Sequence, residues 1–195
     1  MVKVRPARTL STTAVLDRYD IKGAERHNLE SEHRAEKVAV GPPGDQVVLR
    51  DQKPMAPERF RKALPDHVTP SQWYRHLNGM VFLWAQEARL HRLLDAQHYQ
   101  GCEHDVLTVD TASLVKAYEP KILLCHMNSG NTFPKPSKRD FGAFKSIADF
   151  PGPTKKAVVE VVVEYAIPDI ASFVIGGRHS GSPVRRQTGW PVVRS

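Results

Sequence analysis

The longest strand-like run in the chain is 157–165, AVVEVVVEY, in which two glutamates interrupt five valines. β-Branched residues favour extended backbone, and strand side chains alternate between faces. Glu160, Val162 and Glu164 therefore share one face, and Val159, Val161, Val163 and Tyr165 share the other. Shorter strands are predicted at 47–50 (VVLR), 80–84 (MVFLW), 105–110 (DVLTVD) and 121–125 (KILLC). Between them the pattern turns helical. Residues 11–20 carry a Ser/Thr cap and place Val15 and Leu16 inward, and 23–37 form a charged stretch with few apolar anchors. A helix from Pro70 to Leu77 has its proline in the first turn, 87–99 puts Leu90, Leu93 and Leu94 on one face, and 111–118 follows a strand directly. Gly-Pro-Pro-Gly at 41–44 makes a turn. There are too many strands for a helical bundle and too few regular helices for a doubly wound sheet. The pattern predicts an α+β fold with mixed or antiparallel sheets and flanking helices.

The 195 residues suit one domain with a sizeable core, and 41% apolar with 25% charged residues is globular composition. Lys and Arg outnumber Asp and Glu 28 to 21, a net charge of +7. Its location matters more than its size. Lys3, Arg5 and Arg8 lie in 1–10, and Arg178, Arg185, Arg186 and Arg194 lie in 176–195, with no acid in either segment. The body, 11–175, is formally neutral, which gives no support to a basic groove within the fold. The organisation expected is a basic N-terminal end at 1–10, a single domain at 11–175, and a flexible basic tail at 176–195, where Gly, Ser, Pro and Arg follow no period. No run approaches the roughly 18 apolar residues of a membrane span. Two cysteines, Cys102 and Cys125, exclude a disulfide framework and set a reduced, cytoplasmic location as the expectation.

Candidate chemistry centres on Glu160. A carboxylate among valines in mid-strand is costly to bury unless it is paired or opens into a cleft. It then orients a hydroxyl or stabilises a cationic transition state, or else Glu160 and Glu164 mark the solvent face of an edge strand. Asn78-Gly79 forms a turn feeding a strand with Phe82 and Trp84, which either line a nucleotide pocket or pack in the core. The loop 126–144, with small polar residues, two prolines, Lys135, Lys138 and Arg139, either covers a ligand or connects elements through solvent. Arg50 clamps an anion or pairs with a nearby acid such as Asp51. Nine histidines prompt a metal check, but His98, Cys102 and His104 match no strong zinc spacing, and no metal site is expected. No P-loop, GxGxxG or G-x-S-x-G motif occurs.

Several of these blocks occur in an order that resembles a known family. VVLRDQKPM, TPSQWYRHLNGMVFLW, Ala96 to Tyr99, DVLTVDTASLV, the Asn-Ser-Gly-Asn-Thr loop and VVEVVVEYAIPDI resemble, over roughly residues 9–175, a family of bacterial proteins of unassigned function, DUF7002. The layout is also distantly similar to DarT-type ADP-ribosyltransferases, which move ADP-ribose from NAD to a nucleic-acid base. That likeness implies a catalytic role for Glu160, with Pro168 downstream. It also implies nicotinamide-pocket roles for Asn78, Phe82 and Trp84, and pyrophosphate or target contacts for Arg50 or Arg139. NAD would be the substrate and a nucleic acid or protein the acceptor. Enzymes of this layout open with a further NAD-binding strand and helix, whereas this chain begins inside the next segment, at ARTLSTTAVLDRY. The alternative expectation is a non-catalytic member that binds a nucleotide or a protein.

Overall fold

The computed structural model describes residues 8–96, 99, 101–132, 137–152 and 155–180. Its centre is a four-stranded antiparallel sheet. The strands are β4 (Met80–Trp84), β6 (Ile122–Cys125), β7 (Phe144–Ser146) and β8 (Glu160–Glu164), in the order β4-β8-β6-β7. Three two-stranded pairs surround it: β1 (Thr9–Leu10) with β9 (Ala166–Ile167), β2 (Val38–Val40) with β3 (Val47–Leu49), and β5 (His104–Val109) with β10 (Val174–Ser180). The helices are α1 (Thr12–Arg18), α2 (Gly23–Ser31), α3 (Pro57–Ala63), α4 (Pro70–Asn78), α5 (Glu87–Leu94) and α6 (Thr111–Tyr118). All strand pairs among the described residues are antiparallel, so the molecule is α+β with small open sheets.

The valine run of β8 is explained by its position. Val161 and Val163 face a core with Val81, Leu114, Ile122, Ile167, Ile170 and Phe173. Val162 faces the opposite core, with Phe60, Trp73, Tyr74, Leu77, Met80, Cys125 and Phe144. Both faces of the sheet are covered, so a near-continuous apolar strand is required there. The edge-strand reading of Glu160 is therefore corrected: β8 pairs with β4 on one side and β6 on the other. The alternation itself holds until Tyr165, whose φ of 67° kinks the chain between β8 and β9. The kink leaves Tyr165 45% exposed and lets its hydroxyl donate to Asp17 at 2.9 Å.

Local signals place the helices. Ser11 caps α1, its hydroxyl accepting from the Ala14 N–H at 3.1 Å. Thr69 and Gln72 form a reciprocal capping box at α4, with Pro70 in the first turn. Gly79 then closes α4 with its N–H bonded to Arg75 and His76 carbonyls, so Asn78-Gly79 is a helix end rather than a free tight turn. Two helices end earlier than their patterns predict. The charged stretch from 23 stops at Ser31, and the leucine helix from 87 stops at Leu94. At the first, the Gln52 N–H bonds the Arg34 carbonyl, and this tertiary contact draws the chain away from α2. Residues 176–180 belong to β10, paired with β5 along its length, where a flexible tail was expected to begin. The N-terminal end up to residue 7 and the remainder of that tail, 181–195, lie outside the described residues, as do His98 and Lys135. Among the described residues no helix is long and apolar enough to cross a membrane.

Candidate functional site

Alternation along β8 turns Glu160 toward the same side as Val162, but at the strand's first residue, where the helix α4 core gives way to a cleft. The cleft encloses about 380 Å³, within the range of small-molecule sites. One wall is the segment Thr9 to Thr12 at the start of α1, another is Gln52 and Met55, and the floor is Met80, Phe82 and Glu160. The loop after β6 closes the third side through Asn128, Ser129 and Gly130.

Glu160 is 4% exposed. Its carboxylate accepts from the Ser129 hydroxyl at 2.8 Å and from the Ser129 N–H at 3.2 and 3.3 Å. Burial pushes its carboxyl up to about 7, against the opposing pull of the Ser129 donors and the more distant Arg139 charge. The group therefore changes charge near neutrality while aimed into a cleft. Cys125 stands opposite it on β6, and burial pushes that thiol up to about 11, so it is a packing residue at neutral pH.

Two buried guanidiniums stiffen the walls. Arg139 is 5% exposed. It donates to the carbonyls of Ser129 at 2.7 Å, Asn131 at 3.1 Å, Ser137 at 3.1 Å and Asn128 at 3.5 Å. It thus ties together the two ends of the loop that presents Ser129, and its own backbone N–H bonds the Ala63 carbonyl. Arg34, behind the wall that Gln52 and Asn78 form, donates to the carbonyls of Leu29 and Arg50 and to Asn78 Oδ1. Burial lowers both guanidiniums from their ordinary values. Asn78 joins this second knot. Its Oδ1 also accepts from Gln52 at 3.4 Å, and its Nδ2 donates to the Glu30 carbonyl at 2.8 Å.

The six residues singled out from sequence separate into three groups. Glu160, Phe82 and Asn78 line the cleft, with Phe82 37% exposed and Asn78 committed to internal bonds. Trp84 pairs with Glu160 across β4 and β8 but is not part of the lining, and Arg139 lies behind the loop. Arg50 is exposed and stacks its guanidinium 4.5 Å from the Tyr99 ring centroid, outside the lining. Among the described residues no group of three His, Cys, Asp or Glu side chains could hold a metal ion.

Residues 3–174 match the model of a family of unknown function, DUF7002. The chain belongs to that family. No curated protein and no solved structure matches it. The matched region of this DUF7002 chain includes every cleft residue named above. Three contributors escaped the sequence reading. Ser129 sat in a loop whose role was open, and Arg34 and Gln52 carried no local signal, because a buried polar knot is assembled only by contacts distant in sequence.

Proposed function

We propose that the Glu160 cleft binds the nicotinamide–ribose half of NAD and supports transfer of ADP-ribose to a nucleic-acid or protein acceptor. The observation that carries this reading is a buried carboxylate, held by Ser129, at the floor of a cleft that also presents Phe82, Met80 and Met55. The apolar side chains suit a flat aromatic ring, and a carboxylate among them suits a sugar hydroxyl. In the reaction the C–N bond to nicotinamide breaks, its electron pair leaving with the ring. An acceptor nucleophile then bonds the anomeric carbon and loses a proton. Ionised Glu160 would hold a ribose hydroxyl and stabilise the positive charge that develops on the sugar. Because the carboxyl titrates near 7, turnover rises as pH rises through that value.

The placement of the arginines favours a second reading. Neither Arg50 nor Arg139 lines the cleft, and among the described residues no other cationic side chain does. That suits a binding member of the family in which the pocket persists without turnover.

Titration calorimetry of the full chain with NAD, followed by a transfer assay, decides between them. The enzyme reading expects saturable NAD binding, and a loss of about 100- to 1000-fold in transfer for Glu160→Gln with binding retained. NAD binding without transfer supports the second reading. Absence of NAD binding overturns both the NAD assignment and the transferase.

A further inference from the structure

A second cavity, about 500 Å³, opens on the other side of the loop that follows β6. We propose that it binds the phosphate group of a small molecule between Lys138 and Lys156, a site separate from the Glu160 cleft. Its lining includes His126, Lys138, Arg139 and Lys156 against one carboxylate, Asp140. Lys138 and Lys156 are exposed at the ends of two different segments, and neither makes an ion pair among the described residues.

The contact between Lys156 and His126 is the telling one. The ammonium lies 3.5 Å from the His126 Nε2, so a cation faces an imidazole with no acid between them. Burial and then the Lys156 charge lower the His126 pKa, so the ring is held neutral. Below them Arg139 has its donors on backbone carbonyls and makes no ion pair among the described residues, the Glu160 carboxylate acting on it only from beyond ion-pair distance. A cavity bordered by three cations and one acid attracts an anion, and ammonium groups are good phosphate partners. The assignment does not depend on the ADP-ribosyl reading, since none of these residues lines the Glu160 cleft.

Inorganic pyrophosphate is the probe, titrated into the full chain at physiological salt. Saturable one-to-one binding is expected. It should weaken about tenfold or more in the double variant Lys138→Ala/Lys156→Ala and stay unchanged in Glu160→Gln. The His126 ring, followed by NMR, should titrate at higher pH when pyrophosphate is bound, because the anion offsets Lys156. Both lysines are exposed, so the double variant keeps the fold, and its melting temperature checks this. Three results overturn the proposal: no saturable binding, binding kept in the double variant, or binding clearly tightened in Glu160→Gln, which would place the anion against the Glu160 carboxylate in the other cleft.

Discussion

Glu160 and Glu164 stand on the same strand, four residues apart, with side chains on the same face. Glu160 is buried and Glu164 is exposed. The strand is alike around both, so the difference comes from what lies over each end. Above Glu160 the loop from β6 folds back and offers Ser129, and Arg139 ties that loop shut through its carbonyls. Among the described residues nothing comparable closes over Glu164, and the chain turns away through the kink at Tyr165. Periodicity thus assigns a face, whereas burial and charge state are set by a loop some thirty residues away in sequence. The comparison can be broken from either side.

The largest effect is expected from Arg139→Ala. It strips donors from the carbonyls of Asn128, Ser129, Asn131 and Ser137, which sit in or beside buried structure. Leaving several such groups unpaired should cost about 3–5 kcal/mol, read from the urea midpoint. The same variant separates two contributions to Glu160. Were the loop to stay shut, losing the Arg139 charge would raise the Glu160 pKa. Opening of the loop relieves burial, the larger contribution, so the pKa is expected to fall below 7, measured by carboxyl NMR.

Next in size is the pH dependence of stability. Glu160 has its folded pKa raised from 4.5 to about 7, so between those values the folded state holds a proton that the unfolded chain releases. Its contribution to stability is fully present below about 4.5 and is lost as pH rises through 7. The loss over that window is of the order of 3 kcal/mol. Glu160→Gln should remove this slope, so the variant gains on the wild type as pH rises from 5 to 8. Equal slopes in the two proteins would show that Glu160 is not the titrating group.

These effects also mark what was legible in the sequence. The five valines announced the central strand, and the cap at Ser11 and the first-turn proline Pro70 announced α1 and α4, because those signals are local. The short strands β1, β2, β7 and β9 left no trace, being two or three residues long and held in place by their partners. β10 was hidden for a different reason. Val174–Ser180 contains two glycines and reads as irregular, yet it pairs with β5 across a register shift. The cleft was half legible. Glu160 and Phe82 were visible as oddities within strands, while Ser129, Gln52 and Arg34 join only when the fold brings them together.

The smallest effect tests the comparison from its open end. Glu164 projects to solvent beside Met80 in the register of β4 and β8, and no hydrogen bond or ion pair links its carboxylate to a described residue. Glu164→Gln should therefore change stability by less than about 0.5 kcal/mol, the range of surface substitutions away from caps and cores. Chemical denaturation of Glu164→Gln beside Glu160→Gln at pH 8 gives the contrast directly. The first should match the wild type and the second exceed it, since only at 160 does the amide replace a buried charge. If Glu164→Gln stabilised the protein as much as Glu160→Gln, relief of repulsion along β8 would explain both changes, and the closing loop would lose its part in setting Glu160 apart.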